Sequence, residues 1–213
     1  MRSAEWRLFL PCADGRRVPA EARALIALLD HVAPRVRTDV YLKAGPDVGV
    51  KRRGGGGLEF KALKRRQTLG GGVGPGAAET FKKVELGEDA TPAHIIEYLR
   101  KDAASGGEVS GGVSGEFDSL MSSPVEVRVE KSVRKMDTPV GEGWAKMEFT
   151  EIAVSSHSMP GAYPRKWITF NVEGSIEAIE AFLGGAGKPL VALLSLREVL
   201  QVGYPQFVQM VSS

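Results

Sequence analysis

The chain has 213 residues, 43% apolar and 25% charged, ordinary globular values that allow one elaborated domain or two small ones and exclude disorder throughout. Its 28 basic and 26 acidic residues leave a net charge of only +2, so no global field draws it onto nucleic acid or an acidic membrane, and any anion affinity must be local. One cysteine, Cys12, excludes an internal disulfide and a cysteine metal cluster.

Residues 5–10 predict an opening strand with Cys12 as a small residue near its end, then a turn at Asp14-Gly15 and a helix from about Pro19 to His31. Ala22, Leu25, Ile26, Leu28 and Leu29 give that helix an apolar stripe. A strand over Arg37–Leu42, a turn at Gly45-Pro46-Asp47 and a hairpin follow. In the hairpin, Gly49–Arg53 and Leu58–Lys61 flank the connection Gly54–Gly57, and the two-residue side-chain period separates Lys51 and Arg53 from Val50, and Glu59 and Lys61 from Leu58 and Phe60. A sheet of this kind has a charged face that is either bathed in water or wrapped around something anionic.

Between about residues 66 and 115 the composition changes. Glycine-rich patches at 70–76 and 106–115 enclose a strand at Thr80–Leu86 and a helix from Thr91-Pro92 with Ile95, Ile96 and Leu99 on one face. We read the segment as an insertion within a single domain spanning 1–213. Residues 70–76 lack the Lys-Ser or Lys-Thr that follows a P-loop.

Strands return in the C-terminal half. Val125, Val127 and Val129 alternate with Glu126, Arg128 and Glu130, and Ile168, Phe170 and Val172 with Thr169, Asn171 and Glu173. Lys146–Val154 is a further strand whose parity stays open, because Glu148 and Glu151 fall on opposite faces. Ser175 caps a helix carrying Ile176, Ile179, Phe182 and Leu183, and a last helical segment after Leu194 is interrupted at Gly203-Tyr204-Pro205. The expected class is α+β: an antiparallel β-barrel or deep half-barrel with flanking helices.

Other chemistries find less support. His31, His94 and His157 show no metal-ligand spacing. The serines beside His157 form no Gly-x-Ser-x-Gly elbow. Lys51-Arg52-Arg53 and Lys64-Arg65-Arg66 can neutralise phosphates, but these strands lack a stacking platform, Phe60 having the wrong parity, so nucleic acid is disfavoured and a basic rim preferred. No apolar run approaches the roughly 20 residues of a membrane span, and we expect no targeting segment, a cytoplasmic location by default and no membrane partner.

Read in order, the segments resemble the CYTH superfamily of triphosphate tunnel proteins. Arg37–Leu42 is similar to its Asp-x-Tyr-aromatic segment, Val50–Arg53 to its Leu-Arg-x-Arg strand, and Leu58–Lys61 to a strand ending in a tunnel lysine. Glu126–Glu130 resembles a later Arg-bearing strand, Val172–Ser175 the Glu-x-Glu element before a helix, and Gly203–Phe207 the closing Ser-Tyr segment. The first-strand motif Glu-x-Glu-x-Lys is degraded, with Arg7 and Phe9 where Glu and Lys would follow Glu5.

The resemblance implies a tunnel that binds a small polyphosphate-containing anion, clamped by Lys51, Arg53, Lys61 and Arg128. It implies Mg2+ or Mn2+ held by Glu59, Glu130 and Glu173, then Glu5 and then Glu151, and metal-dependent hydrolysis of a triphosphate with no catalytic residue assigned. Asp39 and Tyr41 are read as structural. The alternative is a noncatalytic scaffold or adaptor that binds protein or RNA through its rim and loops.

Overall fold

The computed structural model describes residues 3–12, 19–54, 56–70, 76–104, 125–141, 143–155 and 166–212. Eight strands close into an antiparallel barrel: β1 (Ala4–Pro11), β2 (Arg35–Lys43), β3 (Val48–Arg53), β4 (Leu58–Thr68), β5 (Ala77–Glu85), β6 (Glu126–Val140), β7 (Gly143–Ser155) and β8 (Lys166–Gly174). Around the barrel the order is β1-β5-β4-β3-β2-β6-β7-β8. Closure removes the sheet edges and selects the barrel over the half-barrel. The described helices are α1 (Ala20–Ala27), α2 (Pro92–Ala104), α3 (Ile176–Gly184), α4 (Lys188–Leu193) and α5 (Tyr204–Val211).

Residues 66–68 and 77–85 supply the end of β4 and all of β5, so these parts of the segment are barrel wall, and residues 71–75 lie outside the described residues. Residues 105–115 and the Ser-His stretch at 156–158 lie outside the described residues. The helix expected to reach His31 ends at Ala27 and gives way to turns.

Alternation along the strands sorts side chains between two shells. On the outer shell Trp6, Leu8, Phe149, Phe170 and Val172 pack with Leu25 and Leu29 of α1, Ile179 and Phe182 of α3, and Leu190 and Leu193 of α4. Val48, Val50, Leu58 and Phe60 pack with Ile95 and Leu99 of α2. Ser175 fixes the start of α3, its hydroxyl accepting from the Ala178 amide at 3.1 Å.

The inner shell is apolar at one end only. There α5 enters the barrel, and Phe207, Val208 and Val211 pack against Phe9, Tyr41, Val127, Val129, Ile152, Val154 and Trp167. Phe9 and Phe207 stack with centroids 4.0 Å apart, and Trp167 meets Phe207 edge-on at 5.2 Å. Gly49 makes room for this plug, since a Cβ there would stand 3.1 Å from Pro205 Cγ. The β1–β5 seam is short, with paired residues only at Ala4↔Thr80 and Glu5↔Glu79. Beyond it Leu200 exchanges backbone hydrogen bonds with Phe9 at 2.7 and 2.9 Å.

Candidate functional site

Above the α5 plug the same inward-facing positions become charged. Lumen residues are odd-numbered on β1 to β6, on β4 only as far as the register shift at Leu63/Arg65, and on β8. On β7 they are even-numbered, because the β6–β7 hairpin pairs Lys135 with Glu148 and Asp137 with Lys146. The resulting cavity, of about 250 Å3, is lined by eight basic side chains: Arg7, Arg37, Lys51, Arg53, Lys61, Lys83, Lys131 and Lys135. Four acidic ones line it as well, Glu5, Glu59, Glu148 and Glu173, and Asp39 is fully buried among these cations.

Three of the four expected clamps, Lys51, Arg53 and Lys61, therefore converge in one cavity, as do Glu5, Glu59 and Glu173. Arg128, Glu130 and Glu151 do not: all three are exposed on the outside of the barrel. On β6 it is Val127 and Val129 that face inward, at the level of the plug, and the same parity reaches the charged half at Lys131 and Lys135. The open parity of β7 is settled in favour of Glu148.

The deep layer is a dense ion-pair network. Asp39 meets Lys131 Nζ at 2.8 Å, Arg37 Nε at 3.3 Å and Lys51 Nζ at 3.9 Å. Lys131 also donates to the Tyr41 hydroxyl at 2.6 Å and lies 3.9 Å from the Tyr204 ring centroid. Arg7 stands 4.5 Å over the Tyr204 ring and 3.5 Å from Glu148 Oε1. Asp39 is the counterion of the deep cations, and Tyr41 lines the cavity beside Lys131.

Nearer the mouth, Glu59 is shared by Lys51 at 3.0 Å, Lys83 at 3.1 Å and Arg53 at 3.3 Å. Lys61 bonds Glu5 Oε1 at 2.5 Å and Lys135 bonds Glu148 Oε2 at 2.6 Å. Arg53, Lys83 and Lys135 keep 41–45% of their side-chain surface exposed, so they form a basic entrance.

Burial and charge compete in setting protonation here. Burial would raise the Glu59 carboxyl, but Lys51, Arg53 and Lys83 hold it down at about 2. Burial lowers the Lys51 ammonium to about 8 against the pull of Glu59 and Asp39. Burial likewise pushes Lys131 well below the ordinary lysine range, with Asp39 resisting. Glu5 and Glu148 are held low by their basic neighbours in spite of burial.

These contacts decide whether the carboxylates fit a divalent metal. Glu5 is engaged by Lys61 and Arg7, Glu59 by three cations, and Glu173 accepts from the Ser3 hydroxyl at 3.0 Å. Among the described residues no group of three or more His, Cys, Asp or Glu is placed to hold a metal ion. A hard cation needs several oxygen donors turned toward one point; here the oxygens of Glu5 and Glu59 turn toward ammonium and guanidinium groups, and Glu173 meets a hydroxyl. The donor set does not fit Mg2+ or Mn2+.

The sequence reading missed Arg7, Arg37, Lys83, Lys131, Lys135 and Glu148. Parity held the signal for three of them: Arg7 shares the face of Glu5, Arg37 that of Asp39, and Lys83 that of Glu79 and Phe81.

Comparison with known proteins adds little. No protein-family model matches the chain, and no curated protein matches it. Among solved structures, PH1819 of Pyrococcus horikoshii is similar at 15% identity and a TM-score of 0.41, over 97% of this chain and 98% of that one. A Bacillus halodurans protein with a provisional adenylate cyclase name is similar at 12% identity and a TM-score of 0.41, over the full length of both. Likenesses this distant carry no argument about function.

Proposed function

We propose that the barrel is a CYTH-like tunnel that binds a linear, multiply charged phosphate chain of the triphosphate class. The observation that carries the reading is the convergence of eight basic side chains on one lumen against five acidic ones, Asp39 included. Two buried donors beside that lumen, Arg7 Nε and the Tyr204 hydroxyl, have no hydrogen-bond partner among the described residues. Guanidinium and ammonium groups give phosphate short charge-assisted bonds, stronger in a half-dry channel than in water. Binding exchanges partners: Lys61 leaves Glu5, and Arg53 and Lys83 leave Glu59, for an anion carrying more charge than either carboxylate.

Noncatalytic binding is the form favoured, because Glu5 and Glu59, the two most buried carboxylates expected at a metal, are committed to cations. The test is thermal stabilisation by tripolyphosphate at low ionic strength. At about one hundred times its dissociation constant the ligand adds roughly 2.7 kcal/mol, or about 5 to 10 °C in a chain of this size. Orthophosphate shifts the midpoint less. No shift with tripolyphosphate overturns the reading and leaves the adaptor role. Phosphate release with Mg2+ or Mn2+ would add hydrolysis to binding, and no release leaves the noncatalytic form.

A further inference from the structure

The β1–β5 seam parts beyond Glu5, and a second cavity of about 310 Å3 lies in the opening. Its lining holds two acids, Glu5 and Glu79, two bases, Arg7 and Arg66, and two carboxamides, Gln201 and Gln206. The strap from Leu200 to Gly203 crosses the gap. Leu200 pairs with Phe9 of β1, and the Gln201 carboxamide donates to the Ala77 carbonyl of β5 at 2.9 Å. A Cβ at Gly203 would collide with Glu79 Oε2, so glycine lets the strap pass this close.

Register brings the charges together. Arg66 of β4 is opposite Glu79 of β5, and Glu79 is opposite Glu5 of β1. Three strands thus put a base and two acids in one row, and Arg7 follows Glu5 on the same face of β1. Arg66 bonds Glu79 through Nε at 2.9 Å and Nη2 at 2.8 Å, both to Oε1. A guanidinium has five donors and a carboxylate two oxygens, so each partner keeps capacity for a ligand. The pair also reaches from interior to surface, since Glu79 is buried while the Arg66 side chain is 44% exposed. Burial, with the facing Glu5 adding to it, raises the Glu79 carboxyl above its ordinary value in spite of Arg66. An acid in that state gains from further positive charge.

The charge balance differs from that of the lumen. Among the described residues the formal charges of this lateral cavity cancel, whereas the lumen sets eight bases against five acids. A free anion here is opposed by Glu5 and Glu79, and a free cation by Arg7 and Arg66. A ligand with one charge of each sign meets attraction from both sets. Because Arg66 and Glu79 are bonded to each other, the ligand's two charges must be neighbours as well.

We propose that the lateral cavity binds a free α-amino acid with a polar side chain, its carboxylate on Arg66, its ammonium on Glu79 and its side chain toward Gln201 and Gln206. The zwitterion laid along the Arg66–Glu79 pair closes a ring of four alternating charges. The site is separate from the place given to the phosphate chain and does not depend on the tunnel reading.

The test is calorimetric titration of the wild-type chain, Glu79→Gln and Arg66→Ala with L-glutamine, with its N-acetyl form, with its C-terminal amide and, separately, with tripolyphosphate. L-glutamine is expected to bind the wild type, and each blocked form to bind at least about tenfold more weakly, since each loses one charged partner. Each variant should weaken L-glutamine by about tenfold while tripolyphosphate stays within about twofold. No binding of L-glutamine to the wild type overturns the proposal, as do equal affinities for the free and blocked forms. Equal losses of L-glutamine and tripolyphosphate in both variants assign the pair to the fold and overturn it too. The tripolyphosphate titration of the wild type reads the tunnel separately, so either reading can fail while the other stands.

Discussion

The two halves of the barrel lumen are built by the same strands at the same parity, yet one is a dry aromatic plug and the other a field of ion pairs. At the plug, Phe9, Trp167 and Phe207 are at most 3% exposed, with Phe9 stacked on Phe207 and Trp167 edge-on to it. Above it, cations outnumber acids around an open cavity. Apolar burial is worth roughly 1.5 to 3 kcal/mol per large side chain. Buried ion pairs return little net stability, because desolvation consumes most of their attraction. The plug therefore closes the structure, while the charged half adds little to stability.

The largest expected effect tests the plug. Phe207→Ala should lower unfolding stability by about 3 to 5 kcal/mol, read from the denaturant midpoint; a loss below about 1 kcal/mol would show that α5 does not close the barrel. Asp39→Ala comes next, because it strands the nearly inaccessible Lys131 without its 2.8 Å counterion. Roughly 3 kcal/mol should be lost, and Asp39→Ala combined with Lys131→Met should recover part of it.

At the entrance the ordering reverses. Lys61→Ala should weaken tripolyphosphate by about tenfold or more, given that hydrogen bonds to charged groups contribute roughly 1.5 to 3 kcal/mol, while stability changes by less than about 1 kcal/mol. An effect on stability alone would assign Lys61 to structure.

Protonation sharpens the contrast. With Lys51 lowered to about 8, one lumen charge is lost as pH rises from 7 to 9, so tripolyphosphate affinity should fall across that interval. Glu59, held at about 2 against an ordinary 4.5, has a depressed folded value. Its contribution to stability is whole above 4.5 and is lost as pH falls toward 2, which acid titration of the folded fraction will show. The smallest expected effect is at Arg128, exposed on the outer wall: Arg128→Ala should leave both stability and anion binding almost unchanged.

Much of the barrel was legible in the sequence. Strict alternation marked β3, β4 and β8, and Ser175 marked the start of α3. The sequence did not say which face is inside. In a barrel wrapped by helices, apolar positions such as Val50 and Phe60 point outward to α2 and charged ones point in, the reverse of an ordinary two-layer sheet. β6 departs from that rule because Val127 and Val129 turn inward to meet α5, which leaves Arg128 and Glu130 outside. Local pattern could not predict this, since the plug comes from residues some eighty positions later. Arg7 was visible but was read as the loss of an acid, whereas its bond to Glu148 depends on a strand whose parity the sequence left open.

The measurement that bears most directly on the account is calorimetric titration of tripolyphosphate into the wild-type chain, Lys61→Ala and Arg128→Ala at low ionic strength. The account predicts one ligand per wild-type chain, strong weakening in Lys61→Ala and none in Arg128→Ala. No binding heat in the wild type, or equal losses in the two variants, would contradict it.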